Sequence, residues 1–472
     1  MAILLEQAYT LLENDVETPI SHFLHAIGDE EGILFESAEV DGRWGRYSVI
    51  AGDFLLCVGC RSGSLDLTIR DQRLDPLMEY DGLPFVDGLR KILAALEIKP
   101  LLPEGMAGDD LPSISRALYG YLGYGMAGVF ESKLTAALPP EKAEACLVLP
   151  GTVTVFDHVY NRVCRLSIAQ TDRQRSHRAS AGNGETRIGP VRASMDKDAY
   201  MRVVEAVQKR LRQGEGMQVV PSVGFEAPFT GDPFTLYRRL RRINPSPYLF
   251  YMRLPLLTLM GSSPEVMVGC NNGKLRLSPI AGTRPRGETA REDNLFEEEL
   301  VSDPKEQAEH VMLVDLARND LGRVAVPGSV KLERYMDVER FSHVMHLTSY
   351  ITADLTPGLD ALDVLKAAFP AGTVSGAPKI RAMEIIAGME PAPRGPYAGA
   401  IGWLGLDKDG VSLDTGITIR SLWIRDGKAH WQAGAGIVLD SSPEAEWKEC
   451  NTKAAAMLKA VTDTKPAGLR QS

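Results

Sequence analysis

The alternation of apolar and polar positions predicts a chain of short strands and amphipathic helices. Runs such as residues 47–50 and 151–156 are rich in β-branched and aromatic residues, as strands are. A helical period marks residues 89–96 and, more clearly, residues 195–211. Because strands and helices mix irregularly, the pattern favours an α/β protein of the α+β type with large, mostly antiparallel sheets over a doubly wound parallel sheet.

A polar segment interrupts this pattern at residues 171–194. It is rich in Arg, Ser, Gly and Gln and has almost no large apolar residue. That composition is typical of a solvated connector. We therefore expect an N-terminal domain at residues 1–170, a connector at 171–194, a second domain at 195–462 and a polar tail at 463–472.

The charge balance limits the partners. The chain has 62 acidic residues against 52 Lys and Arg, a net charge of −10, which argues against nucleic acid or an anionic membrane as the main partner. No apolar run approaches the roughly 20 residues of a membrane span, and the first residues turn charged too early for a secretory signal. The six cysteines stand mostly in apolar strings, as expected of reduced core residues. We expect a cytoplasmic protein.

Two acidic pairs stand far apart in the chain. Glu306 and Glu309 follow an Asp-Pro helix start, and Glu446 and Glu449 lie in a second predicted helix, where Lys453 continues the same stripe. The i,i+3 spacing puts each pair on one helical face. Carboxylates in such number suit a hard cation, Mg²⁺ before Zn²⁺. For the first pair taken alone, a solvated first turn stabilised by the helix dipole is the alternative.

Groups that bind carboxylates occur close to the second pair. Gly434 and Gly436 interrupt an apolar strand, which indicates either close approach of a ligand or a β-bulge. Arg420 ends an alternating strand, where its planar guanidinium can hold a carboxylate or lie on the surface. Tyr397 either offers a hydroxyl to the same ligand or packs in its glycine-rich turn.

Further residues suggest proton transfer and substrate contact. Glu265 follows a proline bend and would be a general acid if burial raised its pKa. His346 has an apolar context that suits a catalytic histidine and a core histidine equally. Gly282 and Thr283 end a strand beside two arginines. Residues 372–379 look like a phosphate loop but lack its spacing, so we reject an ATPase.

These strings together resemble the chorismate-utilising enzymes, and among them the large subunit of anthranilate synthase. The resemblance covers nearly the whole chain. It rests on the strings GRYS at 45–48, QVVPS at 218–222, NPSPY at 244–248, PIAGT at 279–283, HVMLVDLARND at 310–320 and GAG at 434–436. It implies a sandwich of antiparallel sheets flanked by helices. It also implies a lyase that converts chorismate and ammonia to anthranilate and pyruvate in tryptophan biosynthesis.

The resemblance also implies residue roles. Mg²⁺ held by Glu309 and Glu449, with Glu446 in support, would take the ring carboxylate of chorismate. Glu265 would protonate the departing C4 hydroxyl. The other catalytic residues would be Glu306, Gln218, His346 and Lys453. The other substrate-binding residues would be Gly282, Thr283, Tyr397, Arg420, Gly434, Ala435 and Gly436.

Two positions separate the branches of this family. Relatives that add water carry a lysine at the position of Gln218, and the p-aminobenzoate branch often carries one at the position of Ala281. Both residues therefore indicate direct attack of ammonia at ring C2. The alternative enzyme is the 4-amino-4-deoxychorismate synthase of folate biosynthesis. A tryptophan sensor without catalysis is the alternative of another class, against which the complete acidic set argues.

The resemblance implies a second site, for tryptophan as feedback inhibitor. Residues 34–37 match the family's Leu-Leu-Glu-Ser element except that Phe35 replaces leucine. The implied effector residues are Glu36, Ser37, Pro247, Tyr248 and Leu249. A strand end that packs on a proline turn is the alternative.

The sequence contains no visible glutamine amidotransferase module. We therefore expect either free ammonia or ammonia from glutamine through a separate amidotransferase subunit, in a heterotetramer.

Overall fold

The computed structural model describes residues 2–13, 17–36, 46–106, 111–168, 186–341 and 344–462. The strands are β1 (Ile3–Leu12), β2 (Gly32–Glu36), β3 (Tyr47–Arg61), β4 (Ser64–Ile69), β5 (Leu96–Leu101), β6 (Ala117–Leu122), β7 (Glu144–Asp157), β8 (Arg162–Ser167), β9 (Arg187–Ile188), β10 (Arg192–Ala193), β11 (Gln218–Val219), β12 (Ser222–Thr230), β13 (Tyr248–Arg253), β14 (Thr258–Ser263), β15 (Val266–Asn271), β16 (Lys274–Leu277), β17 (Ile280–Pro285), β18 (Lys331–Arg340), β19 (Val344–Asp354), β20 (Gly376–Ala377), β21 (Ala400–Gly405), β22 (Leu413–Ile417), β23 (Ser421–Arg425) and β24 (Lys428–Gly434). The helices are α1 (Pro19–Ala26), α2 (Phe85–Ala95), α3 (Ala127–Phe130), α4 (Lys197–Arg212), α5 (Pro233–Ile243), α6 (Ala290–Ser302), α7 (Pro304–Gly322), α8 (Ala361–Ala368), α9 (Lys379–Ala387) and α10 (Pro443–Thr462).

Most strands belong to one large sheet. In the described chain it has 22 strands, while β11 and β20 pair separately. Only the pairing of β1 with β5 is parallel among the described strands. The prediction of an α+β fold with large, mostly antiparallel sheets is confirmed.

The sheet has two arms that start from the long strands β3 and β7. One arm runs from β3 through β2, β13, β14, β23 and β24 to β12. The other runs from β7 through β6, β21, β22, β15 and β16 to β19. The chain passes directly between the arms twice, from β14 to β15 and from β22 to β23. These two crossings position the site.

Local sequence explains both crossings. Pro264 has no N–H to donate to a ladder, so the strand is interrupted there. The second crossing ends at Arg420, whose φ of 49° is unusual for a residue with a side chain. The crossings lie side by side, because Ile417 N donates to Glu265 O at 3.0 Å.

The two predicted domains share this sheet. β2 pairs with β13, and β6 pairs with β21, across the predicted boundary. Residues 171–185 and 463–472 lie outside the described residues, whereas β9 and β10 in the rest of the predicted connector pair with β12. The division into domains stays a prediction about the order of segments along the chain.

Helices cover the arms on separate cores. One core joins α1, α4, α5, α9 and α10 to the arm that ends at β12, and another contains α2, α7 and α8. The α7 helix begins as predicted, with Asp303 as N-cap and Pro304 as first residue. All six cysteines are free and five are buried, as expected. Among the described helices, none combines the length and the apolarity that crossing a membrane requires.

Candidate active site

The structure brings the two acidic stripes together. The acidic cluster consists of Glu306 and Glu309 on α7 with Glu446 and Glu449 on α10. Burial raises the pKa of Glu309, and the negative charges of Glu306 and Glu449 raise it further. Burial also raises the pKa of Glu446, with a further contribution from Glu449. These mutual effects indicate that the acidic stripes of the two helices lie near each other, as does the effect of Lys305 of α7 on Glu446 of α10.

Gln218 on β11 lies at the edge of the acidic cluster. Its Nε2 donates to Glu309 Oε1 at 3.4 Å, and the side chain is buried. A Cβ on residue 436 would stand 2.7 Å from the same Nε2. A side chain at position 436 would therefore force the Gln218 amide to shift from this position beside Glu309.

Lys453 connects the cluster to strand β24. Its Nζ lies 2.6 Å from Glu449 Oε1 and donates to Gly434 O at 3.3 Å. Lys453 therefore lies beside the carboxylates, where its predicted position is. A cation that binds the Glu449 carboxylate would share that carboxylate with the Lys453 ammonium.

Glu306 is held by an arginine to which the sequence analysis gave no role. Arg284 Nη1 donates to Glu306 Oε1 at 3.2 Å, and its other nitrogens bond Asp303 and Glu299. Gly282 has φ +63°, and a Cβ there would stand 3.1 Å from Glu306 Oε2. Strand β17 therefore passes close to Glu306, a contact that no local sequence pattern predicted.

The donor set fits Mg²⁺ bound by few protein ligands. Among the described residues, no group of three or more His, Cys, Asp or Glu side chains is arranged as a complete metal site. Mg²⁺ commonly binds one or two carboxylates, keeps several waters and completes its shell with substrate. Glu309 and Glu449 supply two such carboxylates. Burial is the main cause of the raised pKa of Glu309, and the charges of Glu306 and Glu449 add to it, an addition that a cation would offset.

His346 stands opposite Gly282 and Thr283. Its Nδ1 lies 2.9 Å from Gly282 O and 3.0 Å from Thr283 Oγ1. Burial lowers the pKa of His346, against a smaller opposite effect of the Gly282 carbonyl. With Nδ1–H donating to that carbonyl, the neutral ring has its basic lone pair on Nε2.

Glu265 stands at the first crossing between the arms. Burial raises the pKa of its carboxyl to about 7, although the positive charges of Arg420 and Lys453 act in the opposite direction. A carboxyl with this pKa is protonated in part at neutral pH, as a general acid must be.

Arg420 stands at the second crossing. Burial lowers the pKa of its guanidinium, while Tyr397, Glu449 and Glu265 act against that effect. Within the described residues it forms no ion pair with a carboxylate, although a buried cation without a partner is costly. In the described part of the chain, the guanidinium of Arg420 is therefore available to pair with an anion.

Tyr397 and residues 434–436 lie on the side of the site where Arg420 stands. The Tyr397 side chain is buried, and its hydroxyl lies 3.2 Å from where a Cβ on Gly434 would stand. Ala435 is fully buried, and its N–H already donates to Pro221 O at 3.3 Å. Together with Arg420 they form what we call the anion-binding wall.

The predicted effector residues lie in a different part of the sheet. Glu36 ends β2 opposite Leu249 of β13. The buried Glu36 carboxylate accepts from Tyr237 Oη at 2.6 Å and from Arg241 Nε and Nη2 at 3.0 and 3.1 Å. Ser37 lies outside the described residues.

Tyr248 and Pro247 adjoin this place. Tyr248 Oη donates to Asp414 Oδ1 at 2.7 Å, and Arg276 bonds the other oxygen of Asp414. Pro247 and Tyr248 line a small cavity that also reaches Pro264, next to Glu265. We call these groups together the β2–β13 region; its residues are Glu36, Tyr237, Arg241, Pro247, Tyr248, Leu249, Arg276 and Asp414.

The rejected phosphate loop has a structural function. Lys379 begins α9 and pairs with Asp320 at 2.8 Å, with both side chains largely buried. Its ammonium therefore serves the interior of the protein. The N-cap of α9 is Pro378, and the nearby Ser375 hydroxyl donates to Ala371 O.

Comparison with known proteins finds similarity to one enzyme family. The family model described as chorismate binding enzyme matches residues 80–459. The chain is 38% identical to the protein named anthranilate synthase component 1 of Acinetobacter calcoaceticus, covering 95% of this chain and 93% of that protein. It is 39% identical to the protein of the same name from Aquifex aeolicus, covering 96% and 94%.

Solved structures show the same architecture. Anthranilate synthase component I from Streptococcus pneumoniae superposes with a TM-score of 0.69 at 30% identity, over 95% of this chain and 99% of that one. The menaquinone-specific isochorismate synthase MenF from Escherichia coli has a TM-score of 0.71 at 19% identity, over 97% and 94%, and shows the fold alone.

Proposed function

Because the chain belongs to the chorismate-binding enzymes, we propose that it is the component of anthranilate synthase that acts on chorismate. Chorismate and ammonia would give anthranilate and pyruvate, a lyase reaction of tryptophan biosynthesis. The names of its relatives support this assignment, and none of the comparisons favours the aminodeoxychorismate alternative.

The observation that carries the proposal is that charged groups of opposite sign lie near one another, since the charge of Glu449 in the acidic cluster acts on the guanidinium of Arg420. Arg420 has no carboxylate partner among the described residues, while Glu309 faces other carboxylates. Chorismate is a dianion with a carboxylate on the ring and another on the side chain. A cation at the acidic cluster and the guanidinium at the wall would each take one of them.

Mg²⁺ is the cation proposed for the acidic cluster. Glu309 and Glu449 would hold it, with Glu446 behind them. When bound, the ion would polarise the ring carboxylate and stabilise the negative charge that develops there. Glu306, which Arg284 restrains, would stay beside the ion and orient α7.

The protein groups would divide the proton transfers. As ammonia forms the bond to C2, the C4–O bond breaks and Glu265 protonates the hydroxyl, which leaves as water. His346 Nε2 would then take the C2 proton while the C3–O bond breaks. Pyruvate enolate leaves and takes a proton from solvent, and the ring becomes aromatic.

The choice of nucleophile follows from two side chains. Gln218 has no basic group to activate water, and its amide is engaged with Glu309. Ala281 is buried on β17 and has no amine to attack the ring. Ammonia needs neither, because it is already nucleophilic.

We also propose partners for the chain. The component 1 names of its relatives imply a second component, which would be a glutamine amidotransferase that supplies ammonia, in a cytoplasmic heterotetramer. Tryptophan would inhibit by binding at the β2–β13 region.

One incubation tests the function. The purified chain is mixed with chorismate, MgCl₂ and an ammonium salt, and the product is followed by fluorescence and mass. We expect anthranilate and pyruvate in equal amounts. A non-aromatic product that carries the amino group at C4 would establish the folate alternative. Tryptophan binding with no turnover would establish a sensor.

A further inference from the structure

A buried ion pair that no sequence pattern predicted lies behind the turn that carries Tyr397. Arg394 Nη2 bonds Glu390 Oε1 at 2.6 Å, and Nε bonds Oε2 at 2.9 Å. The two side chains are 1% and 5% exposed. Removing both charges from water is costly, and apolar residues of similar size often give equal stability. The pair therefore requires a role other than overall stability.

The guanidinium of Arg394 joins separate segments of the site. It donates to Val374 O at 2.7 Å and to Val220 O at 2.6 Å, beyond its two bonds to Glu390. The guanidinium also lies 5.7 Å from the ring centroid of Tyr397, and the backbone carbonyl of Arg394 accepts a hydrogen bond from Tyr397 N at 3.2 Å. All parts of the planar fork are engaged, which fixes its orientation.

The carboxylate of Glu390 extends the network to the wall. It accepts from Ser222 N at 2.8 Å and from Ser222 Oγ at 2.7 Å. Ser222 is paired with Gly434 in the β12–β24 ladder, and its hydroxyl accepts from Gln432 Nε2 at 2.8 Å. One buried carboxylate thus holds the strand that ends at Gly434.

The turn around Tyr397 needs such support. Gly395 has φ +58°, and Ala398 has φ +63°, which is strained for a residue with a side chain. Strain of this kind persists only where the surroundings determine the backbone. The bonds of Arg394 at the start of the turn supply that determination.

We propose that the Glu390–Arg394 pair is the positioning element of the anion-binding wall. It fixes the distance between the Tyr397 hydroxyl and the backbone of residues 434–436, although neither residue of the pair touches the substrate. This inference rests on the proposed function, in which the wall binds a carboxylate of chorismate. Because the pair contacts neither α7 nor α10 through these bonds, it governs chorismate affinity and not the cation.

Arg394→Lys tests the proposal, since lysine retains the charge and loses the fork. Chorismate affinity is measured by calorimetry with MgCl₂ and without ammonia or glutamine. We expect Kd and KM to rise at least about tenfold, with kcat within about threefold and unchanged half-saturation by Mg²⁺. A crystal structure of the variant should show the Tyr397 hydroxyl displaced from Gly434.

Arg116→Lys is the matched control. Arg116 is also buried and pairs with Asp407 at 2.7 Å, at the ends of β6 and β21. It should lose comparable stability and bind chorismate like the wild type. Equal affinity losses in both lysine variants, or an unchanged affinity in Arg394→Lys, would show that the pair is only structural.

Ser222→Ala decides the matter if Arg394→Lys does not fold. It removes one bond of Glu390 without creating a buried charge, and we expect chorismate Kd to rise about threefold. Unchanged affinity there overturns the proposal. Absence of chorismate binding by the wild type would instead refute the proposed function, so the two failures are distinguishable.

Discussion

The acidic cluster with its wall and the β2–β13 region treat charge in opposite ways. At the wall, Arg420 has no carboxylate partner among the described residues, and Glu309 faces other carboxylates. In the β2–β13 region, Glu36 is bound by Arg241 and Tyr237, and Asp414 by Tyr248 and Arg276. The charged groups of the first region are therefore available to pair with a charged substrate. Those of the second region are already paired with other residues of the protein.

This contrast has a consequence for ligands. A substrate at the cluster would gain charge pairing with groups that are already held in place and in part removed from water, which lowers the cost of ordering them. An amino acid at the β2–β13 region has to compete with existing hydrogen bonds of Glu36. Catalysis there is not expected, whereas a ligand that rearranges the strands is.

The largest expected effect is at the acidic cluster. Glu309→Ala or Glu449→Ala should lower kcat/KM about a thousandfold, because the metal would supply several kcal/mol and each 1.36 kcal/mol is a factor of ten. Rates are measured as a function of MgCl₂ concentration. Glu444→Ala, at an exposed position on α10, the helix that carries Glu449, is the control. Near-normal rates in both variants would contradict the metal assignment.

Arg420→Gln should be next in size. Loss of a desolvated partner for a carboxylate should raise KM for chorismate about a hundredfold, with Arg420→Lys between it and the wild type. Since the partly buried guanidinium has no carboxylate partner in the described part of the chain, its removal should leave the free energy of unfolding unchanged or higher. Steady-state kinetics and urea denaturation measure the two effects. A large loss of stability would mean that Arg420 is structural.

The protonation of Glu265 should have a moderate effect, visible in the pH dependence of kcat. A general acid must be protonated, and its pKa is about 7. At constant free ammonia, kcat should therefore fall about tenfold for each pH unit above about pH 7. The raised pKa also means that the Glu265 contribution to stability falls as pH rises from 4.5 to about 7 and is constant above.

Glu265→Gln is the matched variant for both measurements. It should be slow at all pH values and should lack this part of the stability profile. A flat kcat from about pH 6 to about pH 9 in the wild type would remove Glu265 as the acid.

The sequence predicted the parts of the site whose signal is local. The Asp-Pro start of α7, the i,i+3 carboxylates and the glycines at 434 and 436 each carry a pattern within a few residues. Partners distant in sequence carry none. Arg284 with Glu306, and Arg394 with Val220, became visible only when the strands came together.

The polar connector illustrates a second limit. Residues 186–194 have few apolar side chains, yet β9 and β10 are strands, because ladders are formed by backbone groups that every sequence has. The crossings at Glu265 and Arg420 are similar, since a proline bend indicates an interruption and not which two arms it joins.

The smallest effect on catalysis is expected in the β2–β13 region. In Arg241→Gln, the buried Glu36 carboxylate keeps the hydrogen bond from the Tyr237 hydroxyl and loses the positive charge of Arg241. The free energy of unfolding should therefore fall by about 2 kcal/mol. Anthranilate formation should stay within about twofold of the wild type, and inhibition by tryptophan should weaken because Glu36 is no longer held. Denaturation and inhibition curves are compared with those of Arg420→Gln, which should show the reverse pattern. If Arg241→Gln lost turnover as Arg420→Gln does, the two regions would form one functional unit and the contrast between them would be wrong.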